Sequence, residues 1–486
     1  MREPAFPREE RDGQGGDQQA APYRWARWVV TVCAITIQAC ASIPTFVPAI
    51  VPTMVPDMAL KSSKSALLGN ASGLLNEKQA AAILARLSLN GSDTNIFSKH
   101  LALESQIVGS PLVVGNRIEL LVGGPSTYES MFSAIEHAEH DVNLETFIIE
   151  DDEIGRRFSA LLCNKQQQGV QINLVYDSVG SFNTPREFFA PLVASGANVL
   201  EFNPINPMLT RKKWALEQRD HRKLLVVDGK IAFVGGVNIS SVYSSGSIGK
   251  PKATESLQTW RDTHARLEGP VVAEFQKLFM TTWDKQKGVP LVDDRYFPTL
   301  SSKGTDVVRA IGSSPEEAFS QMYATLLSAI NSAETQVLLT NAYFVPDSQL
   351  LLALKSAVAR GVDVRLLLPH ATDSALVFYA SRSFYTELLI AGVKIYERQD
   401  AFLHAKTALV DGVWSTIGST NLDWRSFVHN QEINAVILGQ EFGSQMSVMF
   451  QKDLASSRRI SPQSWHRRPI LARLKEAGAR LWARWL

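Results

Sequence analysis

From Asn116 onward, short apolar runs alternate with stretches whose apolar residues recur every three or four positions. Ile118–Val122 has the length of a strand, and Ser126–Glu139 carries Met131, Ile135 and Ala138 on one helical face. Val142–Ile149 predicts a strand, Ile154–Gln167 a helix and Val170–Tyr176 a strand. Strands and helices taking turns in this way predict an α/β architecture. Ahead of it, Pro44, Pro48, Pro52 and Pro56 predict an extended tether, and residues 76–106 a polar helical region without nameable chemistry.

The pattern then recurs. Ala134-Ile135 and Ala138 return as Ala329-Ile330 and Ala333, an offset of 195. Gly169-Val170 returns as Gly361-Val362, an offset of 192, and Gly196 as Gly392. Periods this long indicate a duplicated domain, because solenoid repeats run about 20–50 residues.

Each half closes on the same constellation. His221, Lys223, Val227, Asp228, Gly229, Gly235 and Asn238 match His404, Lys406, Val410, Asp411, Gly412, Gly418 and Asn421 in identity and spacing. On a strand, His and Lys two apart share a face, and the glycine after the valine run suits a turn. Lysine offers a point positive charge and asparagine an amide donor, both suited to phosphate oxygens. Histidine attacks and exchanges protons near neutral pH. One such set is more often a structural pair; two sets with identical tails point to chemistry.

This pairing resembles the duplicated HKD motif of the phospholipase D superfamily over about Ile118 to Phe450. Asn143–Asp152, Arg219–Lys223, Gly235–Ser240, Trp260–Pro270 and Gly418–Ser426 further resemble the bacterial cardiolipin synthase branch. The resemblance implies an α/β fold of two homologous halves, each a mixed sheet flanked by helices, packed about a pseudo-twofold axis. It implies His221 as nucleophile and His404 as general acid, with Lys223, Lys406, Asn238 and Asn421 binding the phosphoryl oxygens. Glu432 would orient His221 and Asp262 would orient His404. Asp228 and Asp411 belong to the catalytic motif, although their positions suit tying strand ends together. Ser419, where the first half has Gly236, reads as a small residue at a close approach. No metal or cofactor is expected.

The chain has 486 residues, 49 Lys+Arg against 48 Asp+Glu, and 45% hydrophobic residues. That balance excludes a globally basic nucleic-acid binder and a disordered acidic chain. The charge is nevertheless placed: residues 458–486 hold eight basic side chains and Glu476 alone, making +7 and leaving −6 for the preceding 457. In 470–486, Leu471, Leu474, Gly478, Leu481, Trp482 and Trp485 follow helical spacing, with Pro469 at a fitting start. This predicts an interfacial helix on anionic lipid, the competing reading being a core-packing helix with a basic face. Arg211, Lys212 and Lys213 read as a solvated loop or a collector for an anionic head group.

Cys33, Cys40 and Cys163 are too few for a disulfide framework and match no zinc spacing. Cys163 reads as core. The apolar run Trp28–Ala41 behind Arg24 and Arg27 is shorter than a membrane span and fits a secretory signal. Ile37-Gln38-Ala39-Cys40 resembles the lipobox of bacterial lipoproteins, which would lipidate Cys40; an uncleaved apolar segment is the alternative.

The expected domains are a signal or anchor at 1–40, tether and polar helical region at 41–110, halves at 111–300 and 301–457, and a membrane-interface tail at 458–486. The expected activity is phosphatidyl transfer making cardiolipin, at the bacterial cell envelope. Its partners are phosphatidylglycerol, with phosphatidylethanolamine as a second candidate, and an anionic membrane surface, but no nucleic acid. Hydrolysis to phosphatidic acid is the alternative, and a superfamily nuclease a weaker one.

Overall fold

The computed structural model describes residues 67–90, 96, 100, 101, 104, 107–210, 215–244, 260–292 and 294–486. Cys40 and its apolar leader, the proline-rich tether and the basic run 211–213 lie outside the described residues.

Each half builds the same seven-stranded mixed sheet. In the first, the parallel strands Asn198–Phe202, Gln171–Asp177 and Asp141–Thr146 lie side by side. Lys223–Val227, Ile231–Gly235, Thr263–Glu268 and Leu112–Val122 then continue the sheet, each antiparallel to the one before. In the second, Lys394–Arg398, Asp363–Pro369 and Gln336–Thr340 are the parallel set. Thr407–Val410, Trp414–Gly418, Asn430–Leu438 and Asp306–Ser313 complete it in the same order and directions. The sheets join where Leu112–Val122 pairs with Asp306–Ser313 around Val113 and Val308.

Parallel neighbours need crossover helices, and the sequence caps them where they start. Asp152 accepts the Gly155 N–H at the head of Glu153–Gln167, and Asp347 the Leu350 N–H at the head of Ser348–Ala359. The helices Val272–Lys285 and Gln440–Ala455 contribute Phe275, Phe279, Phe442 and Met446 to a core shared with the facing strands of both halves. Outer helices cover the far faces, with Met131, Ile135, Phe158 and Leu162 buried on the first half. Cys163 is half-buried against that outer core.

After each motif strand a three-residue loop closes the hairpin, and its first two residues, Asp-Gly, have positive φ: 52° and 59° at Asp228-Gly229, 51° and 70° at Asp411-Gly412. The Asp228 carboxylate accepts the backbone N–H groups of Glu139, His140 and Asp141. Asp411 does the same for Glu334, Thr335 and Gln336. These two acids therefore leave the catalytic set. Seven residues of extended chain put each about 20 Å from its histidine, and its oxygens are occupied in tying the turn to the start of the neighbouring strand.

Two stretches differ from the pattern-based reading. The strand Leu68–Asn70 pairs with Leu112-Val113, and Ile96, His100, Leu101, Glu104 and Ile107 are all buried. The region ahead of the first half is thus part of the second half's outer core and not a polar appendage. At the other end, Ser457–Ile460 adds a strand antiparallel to Lys394–Arg398, so the sheet runs past residue 457.

Candidate active site

The motif histidines stand at breaks between strands, not within them. Arg219-Asp220, just before His221, pairs in parallel with Asn430-Gln431, just before Glu432. Phe402-Leu403, just before His404, pairs likewise with Trp260-Arg261, just before Asp262. The His221 N–H donates to the Gln431 carbonyl at 3.0 Å and the His404 N–H to the Arg261 carbonyl at 2.8 Å. Each two-residue pairing lays the motif of one half beside the acid of the other, and this crossing assembles the site.

The acids meet the histidines accordingly. His221 Nδ1 lies 3.1 Å from both oxygens of Glu432, and His404 Nδ1 lies 2.7 Å from Asp262 Oδ2. A carboxylate only accepts, so Nδ1 carries the proton and Nε2 is left as the ring's acceptor. Lys223 Nζ donates to the His221 carbonyl at 2.6 Å; Lys406 Nζ lies 2.9 Å from His404 Nε2. Asn238 Nδ2 donates to the Tyr243 hydroxyl and its Oδ1 accepts the Ile148 N–H. Asn421 Oδ1 is buried with no hydrogen-bond partner among the described residues. Both histidines, both lysines and both acids are buried.

Burial and crowded cations set the protonation states. Burial, then Lys223 and Lys406, push His221 well below its usual value. Burial and Lys406 lower His404 to about 4, against the pull of Asp262. Lys223 falls to about 7 and Lys406 to about 8, both chiefly through burial, with Lys406 adding to the fall of Lys223. The acids diverge. Burial would raise Asp262, but Lys406 and His404 overcome it and hold the carboxyl at about 2. Burial raises Glu432 to about 7, softened by Ser419, Lys223 and Ser426.

Several neighbours escaped the sequence reading. Ser419 is more than small: its hydroxyl donates to Glu432, as does that of Ser426. At the matching position a Cβ on Gly236 would lie 2.2 Å from Asp262 Oδ1. The mismatch between the halves was thus the visible trace of two differently supported acids. Tyr243 reaches from the first half to within 3.2 Å of His404 Nδ1, and the Trp260 ring lies 4.9 Å from that imidazole. Phe147 flanks His221 at 5.0 Å between ring centroids, with Lys223 Nζ 5.0 Å over its ring. Arg222, inside the motif, crosses to the second half, donating to the Glu432 and Ser313 carbonyls. No cluster among the described residues could hold a metal ion.

The family described as "Cardiolipin synthase, PLD-like domain" matches residues 131–283 and 326–454, more than half of the chain. A cardiolipin synthase of Geobacillus kaustophilus (strain HTA426) is 36% identical over 384 residues, 78% of this chain and 74% of that protein. One from Listeria monocytogenes serotype 4a (strain HCC23) is 33% identical over 395 residues, 80% of each. The crystal structure of phosphatidylserine synthase from Haemophilus influenzae Rd KW20 aligns with a TM-score of 0.60 at 12% identity, covering 80% of this chain and all of that one, a likeness of fold alone. Two matched repeats, each supplying the acid for the other's histidine, and identity across three quarters of the chain agree: the chain belongs to the PLD-like cardiolipin synthase family.

Proposed function

We propose that the chain makes cardiolipin by moving a phosphatidyl group from one phospholipid to the head-group hydroxyl of phosphatidylglycerol. The crossed pairing of His221 with Glu432 and of His404 with Asp262, beside two buried lysines, carries this reading. His221 Nε2 forms a bond to phosphorus as the bond to the leaving head-group oxygen breaks, and His404 gives that oxygen its proton. The acceptor hydroxyl then returns a proton to His404 while its oxygen displaces His221. The acids bear differently on these roles: Asp262 pulls a proton toward His404 against burial and Lys406, a pull to which the entering phosphodiester anion adds, whereas His221 is held neutral and nucleophilic. An entering phosphodiester anion offsets the mutual repulsion of Lys223 and Lys406, which then stabilise the charge developing on its oxygens. One phosphodiester replaces another, so the exchange balances without a cofactor.

The donor is phosphatidylglycerol, with phosphatidylethanolamine as a second substrate. Purified protein given labelled phosphatidylglycerol should yield cardiolipin and glycerol; phosphatidic acid as the main product would mean that water takes the acceptor's place. His221→Ala and His404→Ala should each abolish turnover, with the double variant no worse. Substantial activity in either single variant contradicts the two-histidine mechanism. The reaction belongs at the anionic surface of the bacterial cell envelope, with the chain held through a lipidated Cys40. Mass spectrometry of mature protein should find an acylated Cys40 at its amino terminus, and an intact chain from Met1 would refute that anchor. No helix among the described residues is long and apolar enough to cross a membrane.

A further inference from the structure

The carboxyl-terminal segment is a helix, Ile470–Arg480, that ends in a tight turn at Ala483–Trp485. It packs through a narrow face. Glu476 and Ala479 are buried, with Glu476 accepting from Arg468 Nε at 2.9 Å and lying 3.9 Å from Arg382. Arg480 adds a bond to the Ser383 carbonyl and an ion pair with Glu387. Ala483 and Leu486 are half-buried against the second half's core, but the large apolar residues before them face outward: Ile470, Leu471 and Leu474 are 75%, 64% and 65% exposed, and Leu481, Trp482 and Trp485 are 81%, 58% and 78% exposed. Six large apolar side chains within 16 residues is far denser than the scattered apolar exposure normal for a protein surface.

Two observations indicate what covers them. Arg467, Arg473 and Lys475 are exposed along the same segment, while Arg458, Arg468 and Arg480 are paired to Glu397, Glu476 and Glu387. The surplus of positive charge beside an apolar stripe with tryptophans near its end matches an anionic bilayer interface. The segment is also tied to the active site. The Arg425 N–H donates to the Leu486 carbonyl at 2.8 Å, and Arg425 lies in the helix Trp424–Val428 that follows Asn421. Its charge also helps to depress His221. We infer that this stripe seats the second half on anionic phospholipid and, through the Arg425–Leu486 link, fixes the catalytic histidines relative to the lipid surface. The inference rests on the phospholipid reading above, with the bilayer as its occupant.

The test uses full-length protein reconstituted into phosphatidylglycerol-containing vesicles whose lipids are brominated in the upper acyl chain. Trp482 and Trp485 are two of ten tryptophans, so Trp482→Phe/Trp485→Phe should remove about a fifth of the tryptophan signal, and that fraction should be the strongly quenched one. The difference should be smaller in phosphatidylcholine vesicles and shrink as salt rises. Leu471→Glu/Leu474→Glu, at positions open enough to spare the fold, should abolish the extra quenching and slow lipid conversion in vesicles about tenfold. Equal fractional quenching with and without Trp482 and Trp485 overturns the inference. So does a change of oligomeric state in the glutamate variant without loss of quenching, which would mean that a second protein surface covers the stripe. Because quenching needs no turnover, failure of the proposed reaction would appear separately, as an unquenched or quenched protein that makes no cardiolipin.

Discussion

The two histidines are chemically equivalent in the sequence and inequivalent in their surroundings. Asp262, close to Lys406, stays ionised far below neutrality, whereas Glu432 titrates near 7. Asp262→Asn should therefore cost about 10⁴ in kcat, the scale seen when an orienting aspartate is lost, across pH 5.5 to 8.5. Glu432→Gln should cost little at pH 5.5, where the native carboxyl is already protonated, and progressively more as pH rises through 7. Profiles of kcat for the three proteins check this; a constant ratio of Glu432→Gln to the native enzyme would contradict it. The motif residues and both acids were legible because they recur or match quoted phrases. The crossing of the acids came only from the family resemblance; Phe147 and Trp260 lay inside quoted phrases with no role read for them, and Tyr243 had no signal, since an aromatic beside an imidazole carries no spacing of its own.

At the level of elements, the acids depend on what the adjoining strand leaves open. In the first half Gly236 leaves room for Asp262, whose Oδ1 also accepts the Thr263 N–H. In the second half Ser419 fills that place and donates to Glu432. Gly236→Ala should drive the Asp262 carboxylate off His404 and lower kcat about 100-fold or more, the scale of a displacement of about 1 Å. Ser419→Ala opens no clash but leaves a buried acid short of a donor, a stability cost of about 1–3 kcal/mol, and raises Glu432 further. Kinetics and urea denaturation of both variants separate the two effects; a Gly236→Ala enzyme with native kcat would show that Asp262 can move without consequence. The strands and helices around these positions were readable from periodicity, apart from their ends. The two-residue pairings before His221 and His404 were not, because two residues have no period.

At the scale of the molecule, two further histidines are buried. Burial pulls His100 and His264 to about 3, and neither ring nitrogen of His264 has a hydrogen-bond partner among the described residues. Depressed in the fold and near 6.5 when unfolded, each contributes stability that is complete above pH 6.5 and lost as pH falls toward 3. Glu432 and Asp423, both raised to about 7, act in the opposite sense, weakening the fold as pH rises toward 7. A comparison isolates the histidine: on going from pH 7 to pH 5 the urea midpoint of His264→Gln should gain more, or lose less, than that of the native chain. Equal changes would show that His264 gains its proton without unfolding. His100 also marks where composition misled. His100 and Glu104 belong to the 76–106 region read as polar, yet both are buried with Arg309, 3.4 Å from Glu104.

The sequence by itself determined the duplication, the α/β class, the two motifs and the Asp-Gly turns, because each rests on local geometry that repeats along the chain. It also set the apolar stripe of the carboxyl-terminal segment, which is a matter of helical spacing. Tertiary structure alone decided which face of that segment packs, which carboxylate stays ionised, and how each acid reaches the other half's histidine. Burial and the charges gathered around a group arise only when distant segments meet, and the 142 and 211 residues separating His404 from Asp262 and His221 from Glu432 hold no local trace of the meeting.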